Sequence, residues 1–177
     1  MCGSGLDFFA DFKYNFLKGV KGMKIIFLDI DGVLNSAKYD KQRKSTDGNI
    51  DPTRLPLLKR IIEATNAKIV LTSTWRKFWE MNEESANQTG KELNRIFKSA
   101  GLEIFDKTPV LGSRKEEISA WIFKNKGQIN SFCIIDDIAF GWEELGNFVV
   151  NTNPLIGYGL EENHVKKAIE ILNSKKD

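Results

Sequence analysis

Two aspartates separated by one residue follow an apolar run near the start of the chain. Residues 24–28 lead into Asp29, Ile30, Asp31 and Gly32, and such a run is typical of a strand buried on both faces of a parallel sheet. Alternation along an extended chain directs Asp29 and Asp31 to the same side. Because an unpaired buried carboxylate is costly, a cation or a polar network is expected beside them. The pair therefore indicates a magnesium-assisted reaction that uses carboxylates.

Other polar residues follow later apolar runs or begin a helix, and in a parallel sheet such positions meet at one edge, where ligands bind. They are Thr72 and Ser73 after residues 67–71, Arg114 and Lys115 at a predicted helix start, and Asp136 and Asp137 after residues 132–135. Together with the first pair they form an oxygen-rich set without histidine. Such a set suits Mg²⁺, which binds a few carboxylates and retains waters and substrate phosphate oxygens.

Predicted strands and helices alternate along the chain. Strands are predicted over residues 24–28, 67–71, 102–105, 132–135 and 148–150, and helices from near 52, over 89–100, from 113 and over 161–173. Asp51 is expected to cap the first of these helices, and Ser113, with Glu116 three residues later, the third. The alternation predicts a three-layer α/β fold with a Rossmann-like, mainly parallel sheet.

Two segments differ from this framework. Residues 1–22 are predicted to form an amphipathic helical extension outside a single domain over residues 23–177. That helix either packs on the side of the domain or docks on a partner or a membrane surface. Residues 36–51 are polar and charged and are predicted to form a flexible loop beside the two acids. The basic residues of this loop either attract phosphate or are simply solvated.

Composition describes an ordinary soluble protein of one domain. The 177 residues are 41% hydrophobic and 28% charged, and the net charge of +2 gives no general electrostatic footprint for nucleic acid. Cys2 and Cys133 suggest no disulfide framework, and the single histidine, His164, argues against a zinc site. No stretch approaches the roughly 20 apolar residues of a membrane span, and no signal peptide is evident. A cytoplasmic location is the default expectation, with export by another route left open.

In chain order the polar positions resemble the four motifs of the haloacid dehalogenase (HAD) superfamily of phosphatases. Those motifs are D-x-D-G, an apolar strand ending in Thr or Ser, a cation at a helix start, and an apolar strand ending in paired acids. In this sequence they are residues 29–32, residues 69–72 with Ser73 beside them, Arg114 or Lys115, and residues 133–137. Four such elements in this order are a specific signal, whereas a lone D-x-D is weak.

The resemblance implies a Mg²⁺-dependent phosphate monoester hydrolase. Asp29 would attack phosphorus and form an aspartyl-phosphate, while Asp31 would act as general acid and then as general base. Thr72 and the backbone N–H of Ser73 would orient the phosphoryl oxygens, and the cation of the third motif would neutralise their charge. The implied metal ligands are Asp29, the carbonyl of Asp31, Asp136 and, through water, Asp137.

Two of these assignments are choices between neighbours. Arg114 is preferred to Lys115 as the cation that contacts phosphate, although the helix register near Ser113 leaves both open. Asp136 is preferred to Asp137 as a direct metal ligand, because Asp137 could instead cap the following helix.

Residues 71–76, which end in Trp75 and Arg76, and the Gly-Val-Leu-Asn sequence of residues 32–35 resemble a small HAD subgroup that includes phosphatase domains of RNA repair proteins. Either Trp75 and Arg76 bind substrate, Trp75 by stacking on a ring and Arg76 by holding a phosphate or a base, or they belong to the core and to an ion pair. On the first alternative they join Gly32 and Ser73 as substrate-binding residues. Glu116 and Glu117, by contrast, are expected on a solvated helix face, and His164 at the surface.

The intervals between motifs leave little room for a folded cap domain, so an open rim is expected. Such a rim would admit a nucleotide or the phosphorylated end of a nucleic acid. One alternative is a small-metabolite phosphatase in which residues 36–51 or 77–91 act as a lid. Another is a non-catalytic binding module that keeps the fold. The oligomeric state is not indicated by the sequence.

Overall fold

The computed structural model describes residues 22–43, 50–139, 141–153 and 158–174. The predicted N-terminal helix therefore falls almost entirely outside the described residues. Within these ranges no helix has both the length and the apolar character needed to cross a membrane.

Five parallel strands form one sheet. They are β1 (Met23–Leu28), β2 (Lys68–Leu71), β3 (Ile104–Lys107), β4 (Ile129–Asp136) and β5 (Val149–Asn151), arranged in the order β3-β2-β1-β4-β5. The chain adds β2 and β3 on one side of β1 and then crosses to add β4 and β5 on the other. The predicted α/β architecture with a parallel sheet is confirmed, and the first strand lies at its centre.

Helices lie between the strands along the chain, and one follows the last strand. They are α1 (Ala37–Arg43), α2 (Leu55–Thr65), α3 (Gln88–Ser99), α4 (Arg114–Lys124) and α5 (Glu162–Asn173), with short 3₁₀ helices at Thr74–Lys77 and Glu143–Phe148. The apolar residues of α2, α3 and α5 pack on one face of the sheet, and those of α4 pack on the other. The predicted three layers are therefore present.

The central strand is buried on both faces. Ile26 and Leu28 belong to the core cluster shared with α2, α3 and α5, whereas Ile25 and Phe27 face the cluster that includes α4. All four side chains are inaccessible to solvent. A strand enclosed in this way leaves its carboxyl end as the place where it can present polar groups, which is where Asp29 follows.

The segment between β1 and β2 differs from the prediction. The segment predicted as a loop over residues 36–51 contains the seven-residue helix α1, and residues 44–49 lie outside the described ranges. Helix α2 begins at Leu55 instead of near 52. Asp51 does not cap that helix, because its carboxylate accepts hydrogen bonds from the N–H and the hydroxyl of Thr53, at 2.9 and 2.7 Å, in the preceding turn.

The caps of two other helices are well defined. The hydroxyl of Ser113 accepts a hydrogen bond from the N–H of Glu116 at 3.3 Å, which confirms Ser113 as the cap of α4. At the start of α5, the N–H of Glu161 donates to Nδ1 of His164 at 3.0 Å, and the Glu161 side chain accepts from the His164 N–H. His164 is thus a half-buried capping residue, where the sequence predicted an ordinary surface histidine.

We expect this cap to make stability depend on pH. Burial lowers the pKa of His164 below its ordinary value of 6.5, and the nearby charge of Glu161 only partly opposes this shift. As the pH falls below 6.5 the unfolded chain therefore takes up the proton first, and the contribution of His164 to stability is lost. Urea denaturation of the unmodified protein and of His164→Gln across this range measures the effect. The variant retains a side-chain acceptor, so equal pH dependence in both proteins would contradict the expectation.

Candidate active site

The polar ends of β1 and β4 meet at the centre of the sheet. These strands are neighbours, and the strand order reverses between them, which is the position where open α/β sheets bind ligands. Asp29 and Asp31 follow β1, whereas Asp136 ends β4 and Asp137 follows it. The N–H of Asp29 donates to the carbonyl of Ile135 at 3.0 Å, which holds the two strand ends in register.

Asp29 is enclosed and held by short-range contacts. Its side chain is buried, and Oδ1 accepts a hydrogen bond from the N–H of Ile30 at 2.8 Å. Oδ2 lies 3.3 Å from Nη1 of Arg114. One oxygen is thus fixed by the backbone, and the other faces a cation at the site.

Gly32 makes the turn after the two acids. Its φ is +72°, and a Cβ at this position would lie 2.5 Å from Oδ2 of Asp137. Glycine is therefore required on both conformational and steric grounds. Thr152 fixes the same turn from the end of β5, because its hydroxyl donates to the Gly32 carbonyl at 2.8 Å. The predicted substrate contact of Gly32 stays a prediction.

Three carboxylates could hold a metal ion. Asp29, Asp136 and Asp137 each offer an oxygen, and these oxygens lie within 4.8 Å of one another. Burial, together with the charge of Asp29, raises the pKa of Asp136 to about 7, and the same two causes raise the pKa of Asp137. Crowded, partly desolvated carboxylates of this kind match the donor set of a hard divalent cation. The predicted use of the Asp31 carbonyl as a ligand stays a prediction.

Arg114 connects three of the predicted motifs. Its Nη1 lies 2.8 Å from Oδ2 of Asp136 and donates to the Thr72 hydroxyl at 3.2 Å, besides its contact with Asp29. Lys115 has a different environment, because its Nζ lies 2.7 Å from Glu143 and 3.0 Å from Glu144. Of the two cations left open by the sequence, the structure brings Arg114 to the aspartates.

Asp31 lies at the surface of the site and has different partners. Its carboxylate accepts a hydrogen bond from Nδ2 of Asn35 at 2.9 Å. The indole Nε1 of Trp75 donates to both of its oxygens, at 3.2 and 3.1 Å. The two aspartates of the first motif are thus placed in different environments, Asp29 buried and Asp31 exposed.

Arg76 is a buried structural cation. Its Nη1 donates to the carbonyls of Thr72 and Ser73, and its Nη2 pairs with the carboxylate of Glu117. With 4% of its surface exposed, it is not available to a substrate, so the ion-pair alternative holds for Arg76 and the predicted substrate role does not. The expectation that Glu117 is solvated is wrong for the same reason, since its side chain is buried in this pair.

The Thr72–Ser73 segment is also buried. Ser73 precedes the 3₁₀ helix, and its hydroxyl accepts a hydrogen bond from the N–H of Trp75 at 3.4 Å. The side chain of Ser73 is therefore engaged in a local cap. Contacts of the Ser73 backbone N–H and of the Thr72 hydroxyl with a phosphoryl group stay predictions.

Comparison with known families decides the classification. A family model described as the HAD domain in Swiss Army Knife RNA repair proteins matches residues 25–165. The chain belongs to this family. The match covers the sheet except for the first two residues of β1, and it includes all of the clustered polar residues. No curated protein and no solved structure matches the chain.

The HAD domain contains site residues to which the sequence assigned no role. Asn35 lies three residues after the first motif. Besides its hydrogen bond to Asp31, its Oδ1 accepts a hydrogen bond from the N–H of Gly32 at 2.9 Å. The D-x-D-G motif followed by an amide three residues later was a usable local signal. Glu117 and Thr152 gave no such signal, because each acts through a partner that is distant in sequence.

Proposed function

We propose that this HAD domain is a Mg²⁺-dependent phosphate monoester hydrolase that works through an aspartyl-phosphate. The observation that supports this most strongly is the difference between its two first-motif acids. Asp29 is buried, and its Oδ2 lies 3.3 Å from the guanidinium of Arg114, whereas Asp31, two residues later, is exposed. A nucleophile needs a fixed, charge-matched position, whereas an acid–base group needs access to leaving group and water.

In the first step Asp29 Oδ2 would attack phosphorus, and the bond between phosphorus and the ester oxygen would break. Arg114 lies 3.3 Å from the attacking oxygen and would stabilise the negative charge on the phosphoryl oxygens. The hydroxyl of Thr72, which accepts a hydrogen bond from the same guanidinium, would orient one of those oxygens. Asp31 would donate its proton to the leaving oxygen, so that an alcohol is released.

In the second step the ionised Asp31 would take a proton from water. The water oxygen would attack phosphorus, the aspartyl-phosphate bond would break, and phosphate would leave with Asp29 regenerated as a carboxylate. Asp29, Asp136 and Asp137 would hold the divalent cation, which when bound supplies positive charge against the repulsion between nucleophile and phosphate. No histidine is needed for either step.

We propose the phosphorylated end of a nucleic acid, or a nucleotide, as the substrate. The family description names RNA repair proteins, which supports this class of substrate. Between β1 and β2 the described residues contain only the short helix α1 and the core helix α2, which is consistent with a site open to a long substrate. A small-metabolite phosphatase remains the second candidate.

A phosphate-release assay tests the proposed reaction. The protein with Mg²⁺ is expected to release phosphate from aryl and alkyl phosphates, to stop after EDTA, and to recover when Mg²⁺ is restored. Unchanged release after EDTA would contradict the metal role. Absence of release from the entire panel would support the non-catalytic binding module instead.

The substrate class needs a separate comparison. Oligonucleotides phosphorylated at the 3′ or the 5′ end, free nucleotides and sugar phosphates are compared by kcat/KM under one set of conditions. A higher kcat/KM for an oligonucleotide end or a nucleotide is expected. Preference for sugar phosphates would favour the small-metabolite alternative while leaving the phosphatase mechanism intact.

A further inference from the structure

The indole N–H of Trp75 forms a hydrogen bond with Asp31, the proposed general acid. Nε1 donates to Oδ1 and Oδ2 of Asp31 at 3.2 and 3.1 Å, so one N–H is shared between both carboxylate oxygens. We propose that Trp75 is a positioning residue, which orients the Asp31 carboxylate for proton transfer to the leaving group. This inference rests on the proposed phosphatase function, and it gives Trp75 a role other than stacking on substrate.

The position of Trp75 is fixed from the interior of the protein. It lies in the 3₁₀ helix Thr74–Lys77, whose start is capped by the hydroxyl of Ser73. The next residue, Arg76, is buried and binds the carbonyls of Thr72 and Ser73. Part of the Trp75 side chain also packs against the main core cluster. The short helix is therefore held at its base, and the indole that it presents has little freedom.

Asp31 is a residue that needs such support. It is exposed and precedes the positive-φ turn at Gly32, so burial does not restrict its side chain. The donor from Asn35 at 2.9 Å fixes Oδ1, and the indole N–H then limits rotation of the carboxylate plane. A carboxylate has about four acceptor sites, so these two donors leave sites free for a proton and for water. Correct orientation of an acid contributes to rate because the reacting atoms must be aligned.

A comparison of leaving groups tests this role. The para-nitrophenolate ion leaves without a proton, whereas an alkoxide needs general acid assistance. We therefore expect Trp75→Phe to lower kcat/KM by about 10-fold more for the alkyl phosphate that the unmodified protein hydrolyses fastest than for para-nitrophenyl phosphate. The quantity kcat/KM is used because it reports the step that breaks the ester bond and not the shared hydrolysis of the aspartyl-phosphate.

Four further variants of the whole chain complete the experiment. Trp75→His retains an N–H donor, so its selective loss of kcat/KM on the alkyl phosphate is expected to be smaller than that of Trp75→Phe. Trp79→Phe is the matched control, because its buried indole donates to Asn94 at 2.7 Å and to neither aspartate of the first motif. In an Asp31→Asn background, Trp75→Phe is expected to have no further selective effect on the alkyl ester. Thermal melts establish that each variant is folded.

Each outcome decides the inference. A selective loss on the alkyl ester that is absent from Trp79→Phe supports positioning. Equal losses on both esters, or a selective loss that persists in the Asp31→Asn background, overturn it. An increase in KM limited to substrates that contain a base overturns it in favour of stacking. If the unmodified protein releases phosphate from neither ester, the proposed function fails, and this inference fails with it.

Discussion

Replacing Asp29 with asparagine is expected to lower phosphate release by at least about 10³-fold, even with para-nitrophenyl phosphate. The asparagine amide has the same shape, and its oxygen can still accept the hydrogen bond that the Ile30 N–H donates to Asp29 Oδ1 at 2.8 Å in the unmodified protein. It has no charged oxygen to attack phosphorus. A substrate with a good leaving group does not rescue the variant, because the missing group is the nucleophile itself.

Stability is not expected to fall with activity in this variant. The charge of Asp29 is one of the causes that raise the pKa values of Asp136 and Asp137, so removing it relieves repulsion in the folded site. Arg114 loses its contact with Asp29 but keeps Asp136 at 2.8 Å as a charge partner. Loss of activity accompanied by unfolding would therefore not match the expectation. Circular dichroism melts and phosphate release are to be measured on the same preparations.

Asp106→Asn provides a matched control. Asp106 lies in β3, and its Oδ1 accepts the N–H of the following residue at 2.8 Å, as Asp29 does. Its other oxygen accepts from the indole of Trp121 and not from Arg114. Asp106→Asn is expected to retain activity.

Trapping the intermediate tests the nucleophile directly. When the unmodified protein is quenched with acid during turnover, it should contain a phosphate adduct on Asp29. Turnover by Asp29→Asn close to the unmodified rate would contradict the nucleophile assignment.

The sheet and the gathering of the site were predictable from local patterns. Apolar runs that end in polar residues predicted β1, β2 and β4, and the carboxyl ends of parallel strands necessarily meet at one edge. This placed Asp29 and Asp136 together although they are far apart in sequence. The helix start at Ser113 followed from its side-chain chemistry, and with it the position of Arg114.

Features that depend on distant partners were not predictable in this way. Helix α1 is short and polar, so it has no apolar periodicity that distinguishes it from a loop. Glu116 and Glu117 are adjacent acids at the start of one helix, and their local sequence does not indicate which is buried. The difference arises because Arg76, 41 residues away, lies against one of them. His164 is a different case, because its capping partner Glu161 is only three residues away, and the capping box that they form was not recognised from the sequence.

The Trp75–Arg76 pair shows why the sequence left two alternatives open, substrate binding or a place in the core and in an ion pair. Consecutive residues of the 3₁₀ helix face different directions, so Arg76 enters the protein and Trp75 remains at the edge of the site. Arg76 then fixes the backbone of residues 72 and 73, which belong to the second motif. A residue of this kind affects the site without contacting substrate, and its loss is expected to appear first as a loss of stability.

Glu117→Ala is therefore expected to destabilise the protein by about 3–5 kcal/mol, because it leaves the buried guanidinium of Arg76 without its charge partner. Burial lowers the pKa of Arg76, and the charge of Glu117 opposes that shift. The Glu117 carboxylate also accepts the N–H of Leu111 at 3.0 Å, and its Oε2 lies 3.9 Å from Nε of Arg114. Its removal thus unpairs a cation and a backbone donor together.

Glu116→Ala separates this effect from the general effect of an acid in the first turn of α4. Both glutamates interact favourably with the helix N-terminus, but Glu116 is exposed. The control is expected to change stability by no more than about 0.5 kcal/mol. In a thermal melt, Glu117→Ala should lower Tm by roughly 6–20 °C for a chain of this size. Equal shifts for the two variants would mean that the Arg76–Glu117 pair does not hold the second motif against α4, and that the backbone of Thr72 and Ser73 is fixed by other contacts.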